Sequence, residues 1–158
     1  MSASAPLLTG KNRRALQALI AAPLLALSIA AGAGTAYASS PTFTPGEVHL
    51  SNGYCSVSGW PNGEIFCGTS KGANLPNGTQ EIFGIGLDDA VWTDWGTEAH
   101  PSGWKSLGAP SNGCDADYGR LDLTNYGNYN LAVGCWDFNG NETINVRTDG
   151  PNGTWIGW

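Results

Sequence analysis

Residues 78–95 read GTQEIFGIGLDDAVWTDW and residues 119–136 read GRLDLTNYGNYNLAVGCW, and the two stretches align with an offset of 41. In each stretch two short apolar runs flank a polar turn, and a tryptophan closes the unit, Trp95 or Trp136. A shorter third copy runs over residues 46–60. Short alternating runs bounded by Gly, Pro or Asn are typical of β-strands. The pattern therefore predicts an all-β fold, with short antiparallel strands in about three repeats of low similarity.

The rest of the chain beyond residue 40 carries the same signals. Short runs at 47–50, 54–58, 64–67, 80–86, 90–95, 119–124, 130–136, 141–147 and 154–158 are predicted as strands. Six Asn-Gly dipeptides are candidate strand reversals, because Asn-Gly accepts the positive φ angles of tight hairpin turns. They start at Asn52, Asn62, Asn77, Asn112, Asn139 and Asn152. The seven tryptophans are Trp60, Trp92, Trp95, Trp104, Trp136, Trp155 and Trp158.

The first 38 residues are predicted to be a secretory signal peptide. Lys11, Arg13 and Arg14 form a basic region, and residues 15–34 are almost wholly apolar or small. Residues 36–38, Ala-Tyr-Ala, then match the small-x-small pattern of a cleavage site. A transmembrane helix is the alternative, since the apolar run is long enough to span a bilayer.

Cleavage at this site would leave a flexible Ser/Thr/Pro-rich leader over residues 39–45 and a single all-β domain over residues 46–158, secreted and extracellular. All 13 acids lie beyond residue 40, together with four of the seven Lys and Arg residues, so this part of the chain is strongly acidic. Nucleic acids and anionic membranes bind clustered cations. Neither is therefore an expected partner once the signal peptide is removed.

Four cysteines, Cys55, Cys67, Cys114 and Cys135, lie in the exported part. An even number of cysteines in an oxidising compartment predicts two disulfides, with three possible connectivities. The pairs Cys55–Cys67 and Cys114–Cys135 are favoured, because each brackets turn-rich sequence over a short distance. A zinc site is disfavoured because the chain has no Cys-x-x-Cys.

Residues 81–108, EIFGIGLDDAVWTDW…PSGWKSLG, resemble one blade of the tectonin-like and related bacterial β-propeller lectins. The resemblance is looser over residues 119–158 and poor over residues 46–77. It implies a carbohydrate-binding role, with the sugar held between blades on aromatic and polar side chains. Three modules cannot close a propeller of four or more blades. The expected architecture is therefore propeller-blade-like in a homo-oligomer, or a small open β-sandwich or barrel.

Aromatic and acidic side chains form the predicted binding set. Trp92 and Trp95 are three residues apart in one run, so strand alternation places them on opposite faces. Trp95 and Trp136 close equivalent units and are expected in the core, whereas Gly-rich surroundings favour exposure of Trp104, Trp155 and Trp158. Acids next to indoles suit vicinal hydroxyls, because carboxylates accept two hydrogen bonds. The predicted carbohydrate-binding residues are Trp92, Asp94, Glu98, His100, Trp104, Trp155 and Trp158.

Catalysis is not predicted. His49 and His100 are the only histidines, and neither lies in a metal-binding or nucleophile motif. No pair of carboxylates is marked as a glycosidase pair. The leading hypothesis is a secreted, non-catalytic protein that binds glycans or cell-wall polysaccharide, without a metal or cofactor. A secreted protease inhibitor or protein-interaction module is the alternative, with the disulfide-bracketed segment 55–67 as its contact loop. A surface structural protein is the second alternative.

Overall fold

A computed structural model of the protein describes residues 41–158, and this part of the chain is all-β. Its strands are β1 (Thr42–Phe43), β2 (Glu47–His49), β3 (Cys55–Val57), β4 (Trp60–Ile65), β5 (Lys71–Asn74), β6 (Gln80–Ile85), β7 (Val91–Thr97), β8 (His100–Pro101), β9 (Lys105–Gly108), β10 (Leu121–Gly127), β11 (Asn130–Trp136), β12 (Glu142–Arg147) and β13 (Trp155–Ile156). Two short 3-10 helices occupy Ala116–Tyr118 and Gly150–Asn152.

The strands form three antiparallel sheets. A six-stranded sheet has the order β1-β5-β6-β7-β8, with β9 also paired to β7. A four-stranded sheet has the order β10-β11-β12-β13, and a three-stranded sheet has the order β2-β3-β4. Within residues 41–158 no sheet closes into a barrel. The prediction of an all-β fold of short antiparallel strands is therefore confirmed, and the architecture is open.

The six-stranded sheet is covered on both faces, as strand β6 shows. Ile82 belongs to a core cluster with residues of the three-stranded sheet: Cys55, Val57, Trp60 and Ile65. Phe83 and Ile85 belong to a larger cluster with residues of the four-stranded sheet: Leu121, Leu131, Val133 and Cys135. Successive side chains of a strand point to opposite faces. The apolar run Ile82–Ile85 therefore has a core to fill on each side, which explains why all four residues are buried.

The two stretches with the 41-residue offset each form a hairpin, β6–β7 and β10–β11. The first hairpin closes through a five-residue loop over residues 86–90. The second closes through Asn128 and Tyr129, which both have positive φ. The second unit also contains an extra strand, β12, which separates β11 from the tryptophan-bearing β13.

Asn-Gly dipeptides form strand reversals at several of the predicted positions. Asn52-Gly53, Asn77-Gly78 and Asn139-Gly140 lie in the turns that join β2 to β3, β5 to β6 and β11 to β12. The prediction is wrong at Asn62-Gly63, which lies inside β4. The turn between β3 and β4 is instead made at Gly59, which has a φ of 80°. The Asn62-Gly63 dipeptide therefore does not reverse the chain and has a different structural role.

That role is a bulge in β4. Cys55 of β3 pairs with Ile65, and Val57 pairs with Trp60. One residue of β3 therefore faces four residues of β4, residues 61–64. Asn62 has a φ of 66°, which bends the strand at this point. Bulges commonly redirect side chains beside functional sites, and this bulge forms part of the pocket described below.

Two disulfides join Cys55 to Cys67 and Cys114 to Cys135, so the favoured connectivity is confirmed. Cys114 and Cys135 are completely buried in the larger core cluster. Cys55 is also completely buried, whereas Cys67 is half-buried at the edge of the smaller cluster. Disulfides of this kind persist in oxidising, extracellular compartments.

The N-terminal boundary of the fold differs from the predicted one. Thr42 and Phe43 pair with Ala73 and Gly72 at the edge of the six-stranded sheet. The ring of Phe43 packs against the smaller core cluster, over the position where Gly72 lacks a side chain. The prediction of a flexible leader is therefore wrong for these two residues, because an apolar ring gains burial there. The predicted signal peptide lies outside the described residues, and none of the elements within residues 41–158 is a helix able to cross a membrane.

Candidate functional site

A pocket of about 330 Å³ lies where the β4 bulge meets the loop of the β6–β7 hairpin. Trp92 and Trp104 both line it, and Ile65 and Leu87 add apolar surface. Asn62, Glu64 and Asp88 supply its polar groups. We call it the Trp92–Trp104 pocket. Small-molecule sites combine apolar walls with a few placed polar groups, and this volume is at the lower end of their range of about 300–1,000 Å³.

Trp92 is fixed by the hairpin loop beneath it. Its Nε1–H donates to Asp88 Oδ1 at 2.9 Å, and the same oxygen accepts from the Ala90 backbone N–H at 3.3 Å. The pyrrole ring lies over Gly86, where an added Cβ would stand 2.6 Å from Trp92 Cδ1. The indole is half-buried and outside both core clusters. Its orientation is thus set by the loop, while part of its surface stays accessible.

Trp104 is fixed by the β4 bulge. Its indole lies against Gly63, in the space that a side chain at this position would fill. Trp104 also packs against the smaller core cluster, so its ring is only partly accessible. The Asn62-Gly63 dipeptide therefore shapes the pocket, since Asn62 bends the strand and Gly63 lets the indole approach the backbone.

Two carboxylates lie at the pocket. Asp88 is exposed and uses Oδ1 for Trp92 and Ala90, which leaves Oδ2 as an acceptor. Glu64 is exposed and accepts from the Asn52 side-chain amide at 3.0 Å through Oε2. Hydroxyl groups of a ligand could donate to the remaining oxygens. The pocket therefore combines flat apolar rings with acceptors at its edge.

A second concave site, of about 500 Å³, lies between the six-stranded and the four-stranded sheets. We call it the ion-pair cleft, because Glu81 and Arg147 line it and form a buried ion pair. Arg147 Nη2 lies 2.7 Å from Glu81 Oε2, with side-chain exposures of 9% and 1%. Arg147 Nη1 donates to Glu81 Oε1 at 3.1 Å, and Nε donates to the Tyr129 carbonyl at 3.1 Å. Trp95, Trp155 and Lys105 also line this cleft.

Burial raises the pKa of Glu81 above its ordinary value of 4.5, since desolvation disfavours the charged form. The charge of Arg147 and the hydrogen bonds from Arg147 and Thr93 lower the pKa, but they offset the desolvation only in part. The arginine is thus the main group that allows Glu81 to be ionised inside the protein.

Trp92 and Trp95 lie on opposite faces of β7, as the alternation predicted. Trp92 lines the Trp92–Trp104 pocket, and Trp95 lines the ion-pair cleft beside Thr93. The prediction that Trp95 and Trp136 form the core is wrong. Both are half-buried and belong to neither core cluster, whose members on these two hairpins are smaller residues such as Phe83 and Leu131. Trp60 is the tryptophan that is fully buried.

Asp94 does not contact either cavity. It is completely buried on the Trp92 face of β7. Its Oδ1 accepts from Ser102 Oγ at 3.0 Å and from the Gly103 backbone N–H at 2.9 Å. These two residues immediately precede Trp104. The predicted role in sugar contact is therefore corrected to a positioning role, in which Asp94 holds the segment that carries Trp104.

The other predicted residues separate into different places. Trp155 lines the ion-pair cleft and packs edge-on against Phe83, with ring centroids 5.8 Å apart. Trp158 is half-buried and donates through Nε1 to the Leu107 carbonyl at 3.2 Å, which closes the C-terminal end of the fold. Glu98 and His100 are exposed and line neither cavity. The structure thus brings Trp92 and Trp104 together and leaves the remaining residues elsewhere.

Sequence reasoning missed the residues that complete both cavities. Glu64 and Asp88 were not selected, because only the folded chain brings the β4 bulge to the β6–β7 loop. Glu81 and Arg147 are 66 residues apart in sequence. The sequence did contain an indication of this ion pair, since Glu81 begins the otherwise apolar run EIFGIG and Arg147 is one of only four Lys or Arg residues beyond residue 40.

His49, Cys55 and Cys67 lie close enough to suggest metal ligands, with His49 Nδ1 at 3.5 Å from each sulfur. Both sulfurs belong to one disulfide, however, so neither is a thiolate that could bind an ion.

Residues 41–158 thus form an open all-β fold with two disulfides, and the two cavities described above lie on opposite faces of the six-stranded sheet and are lined by aromatic side chains. Comparison with known proteins finds no matching family model, no matching curated protein and no matching solved structure.

Proposed function

We propose that this protein is a secreted, non-catalytic carbohydrate-binding protein and that a neutral sugar binds in the Trp92–Trp104 pocket. The observation that carries the proposal is the pocket itself, in which two indoles lie beside the carboxylates of Glu64 and Asp88. Sugars present an apolar face of C–H groups and a rim of hydroxyls, which match the indoles and the carboxylate oxygens respectively. The function also agrees with the lectin family that residues 81–108 resemble.

The size of the contact sets the expected affinity. Burying roughly 50–80 Å² of a sugar face against one indole contributes about 1.3–2 kcal/mol, at about 25 cal/mol per Å². One such contact with a few hydrogen bonds gives a Kd in the range of about 1 mM. Useful affinity then requires several sites on one polymer or one assembly, because linked sites raise the effective concentration. A repeating polysaccharide is therefore the fitting ligand.

The segment bracketed by Cys55 and Cys67 forms strands β3 and β4, which pack on the smaller core cluster. This is a different arrangement from the free contact loop expected of a protease inhibitor. The carbohydrate-binding function is therefore the better supported one.

Replacing Trp92 by alanine tests this function. After a glycan and cell-wall polysaccharide array has identified a ligand, we expect Trp92→Ala to weaken binding by about ten- to thirtyfold, the loss of one indole contact. The measurement is retention on the immobilised polysaccharide together with a titration of the soluble oligosaccharide. Trp92 lies outside both core clusters, so urea denaturation should find the variant folded.

Tyr126→Ala is the matched control, because Tyr126 is an aromatic residue 53% exposed on β10 and lines neither cavity. We expect this variant to bind as the unaltered protein does. Equal loss in both variants would mean that exposed aromatic surface in general holds the ligand. An array without any bound neutral glycan would overturn the proposed function itself.

A further inference from the structure

The ion-pair cleft differs in charge from the rest of the protein. The described part of the chain carries 13 acids and four Lys or Arg residues. Two of these four cations, Lys105 and Arg147, line the cleft, whereas Glu81 is its one acid among the described residues. Glu81 and Arg147 neutralise each other in the ion pair. Lys105 is therefore left as the uncompensated charge, so the cleft is locally positive in a strongly acidic protein.

The two cations are held by aromatic rings at the cleft. Lys105 Nζ lies 4.5 Å from the centre of the Trp95 ring, and the Arg147 guanidinium lies 5.2 Å from that of Trp155. Such contacts favour a cation near an indole face while leaving its charge available. Lys105 itself is exposed, and no carboxylate of residues 41–158 lies within ion-pair distance of it.

The Arg147 guanidinium has more hydrogen-bond donors than its protein partners use. A guanidinium carries five N–H groups, and two hydrogen bonds use them, from Nη1 to Glu81 and from Nε to the Tyr129 carbonyl. The arginine is buried to more than nine-tenths and lines the cleft, and its Nη2 makes no hydrogen bond to residues 41–158 besides its ion-pair contact with Glu81. A buried donor without an acceptor is costly, and a carboxylate would accept from a fixed guanidinium with little loss of freedom.

Polar groups suited to hydroxyls complete the cleft. Asn77 and Asn152 are exposed residues of its lining, and Tyr129 and Trp155 add aromatic surface to it. From this combination we propose that the cleft is a second binding site, for a sugar that carries a carboxylate, such as a uronic acid. The carboxylate contacts Lys105 and Arg147, and the ring lies against the aromatic side chains. The choice of a saccharide rests on the proposed function, whereas the preference for a negative charge rests on the cleft alone.

Trigalacturonate and its neutral methyl ester are suitable probes, because they differ in charge and share one ring structure. We expect trigalacturonate to shift the indole N–H resonances of Trp95 and Trp155 in an NMR titration and to bind about tenfold more tightly than the ester, the contribution of a hydrogen-bonded charge. Lys105→Gln should remove this difference. Lys71→Gln, which removes the same charge outside both cavities, should keep it.

Other results would overturn the second site. Equal binding of the acid and the ester, or equal loss in both lysine variants, would show that no charge is recognised in the cleft. Shifts confined to the Trp92 resonance would place the acid sugar in the Trp92–Trp104 pocket. Displacement by inorganic phosphate at the same concentration would identify a simple anion site. None of these results depends on whether a neutral glycan binds at Trp92, so the two proposals can fail separately.

Discussion

Arg147→Met is expected to lower the free energy of unfolding by roughly 3–5 kcal/mol at neutral pH, because it leaves the charge of Glu81 buried without a partner. Glu81 is completely buried and contacts the guanidinium through both carboxylate oxygens. The Thr93 hydroxyl, which donates to Glu81 Oε1 at 3.1 Å, cannot replace the lost charge. Since domains of this size are stable by only about 5–15 kcal/mol, the loss is a large fraction of the total.

The pH dependence of the stability of Arg147→Met shows whether the unpaired charge of Glu81 causes the loss. Burial already raises the pKa of Glu81 above 4.5, and loss of the arginine raises it further. Between pH 4.5 and the raised pKa, the folded state then binds a proton that the unfolded state has released. Stability therefore falls as the pH rises through this window and is regained toward pH 4.5. Urea denaturation at several pH values measures both the loss and its slope.

Two further variants complete the comparison. Arg120→Met removes an exposed arginine and should change stability by no more than about 0.5 kcal/mol. Replacing Glu81 and Arg147 together by methionine should cost less than the sum of the single changes, because the two charges depend on each other. A loss in Arg147→Met that is independent of pH, or that Arg120→Met equals, would contradict the assigned role of the ion pair.

The sequence predicted strands with apolar alternation and missed strands without it. The paired runs around β6–β7 and β10–β11 were found because branched and aromatic residues mark them. Strand β5, Lys71–Asn74, reads KGAN and has no such residue. It forms because β1 and β6 pair on its two sides, with Gly72 leaving room for the ring of Phe43. Tertiary pairing, not local preference, therefore decides this strand.

The candidate site could be predicted only in part for a related reason. Alternation separates Trp92 from Trp95 within one strand, and the structure agrees. Which indole meets which acid depends on the approach of distant segments. The β4 bulge brings Gly63 to Trp104, and the four-stranded sheet brings Arg147 to Glu81. Asp94 was selected because it neighbours tryptophans in sequence, but its buried carboxylate accepts hydrogen bonds from the Ser102 hydroxyl and the Gly103 backbone N–H.

Removal of the disulfide between Cys114 and Cys135 is expected to cause the second large loss of stability. The double substitution to alanine should lower the free energy of unfolding by roughly 3–5 kcal/mol, through the greater freedom of the unfolded chain and the loss of buried packing. The bond joins the segment before β10 to β11, and both sulfurs lie in the larger core cluster. The segment also links sheets, since Cys114 N–H donates to the Asp89 carbonyl at 2.8 Å and Asp115 N–H donates to that of Trp136 at 2.7 Å.

The second disulfide provides a matched comparison within the same protein. Cys55 and Cys67 are separated by 12 residues rather than 21, and Cys67 is only half-buried. The shorter loop alone reduces the stabilisation by about 0.5 kcal/mol in the chain-entropy model, and the smaller cluster adds less packing. Urea denaturation of the two double-alanine variants should therefore find the larger loss for Cys114 and Cys135. A larger loss for Cys55 and Cys67 would mean that the three-stranded sheet, which carries the β4 bulge, depends on its disulfide more than the main core does.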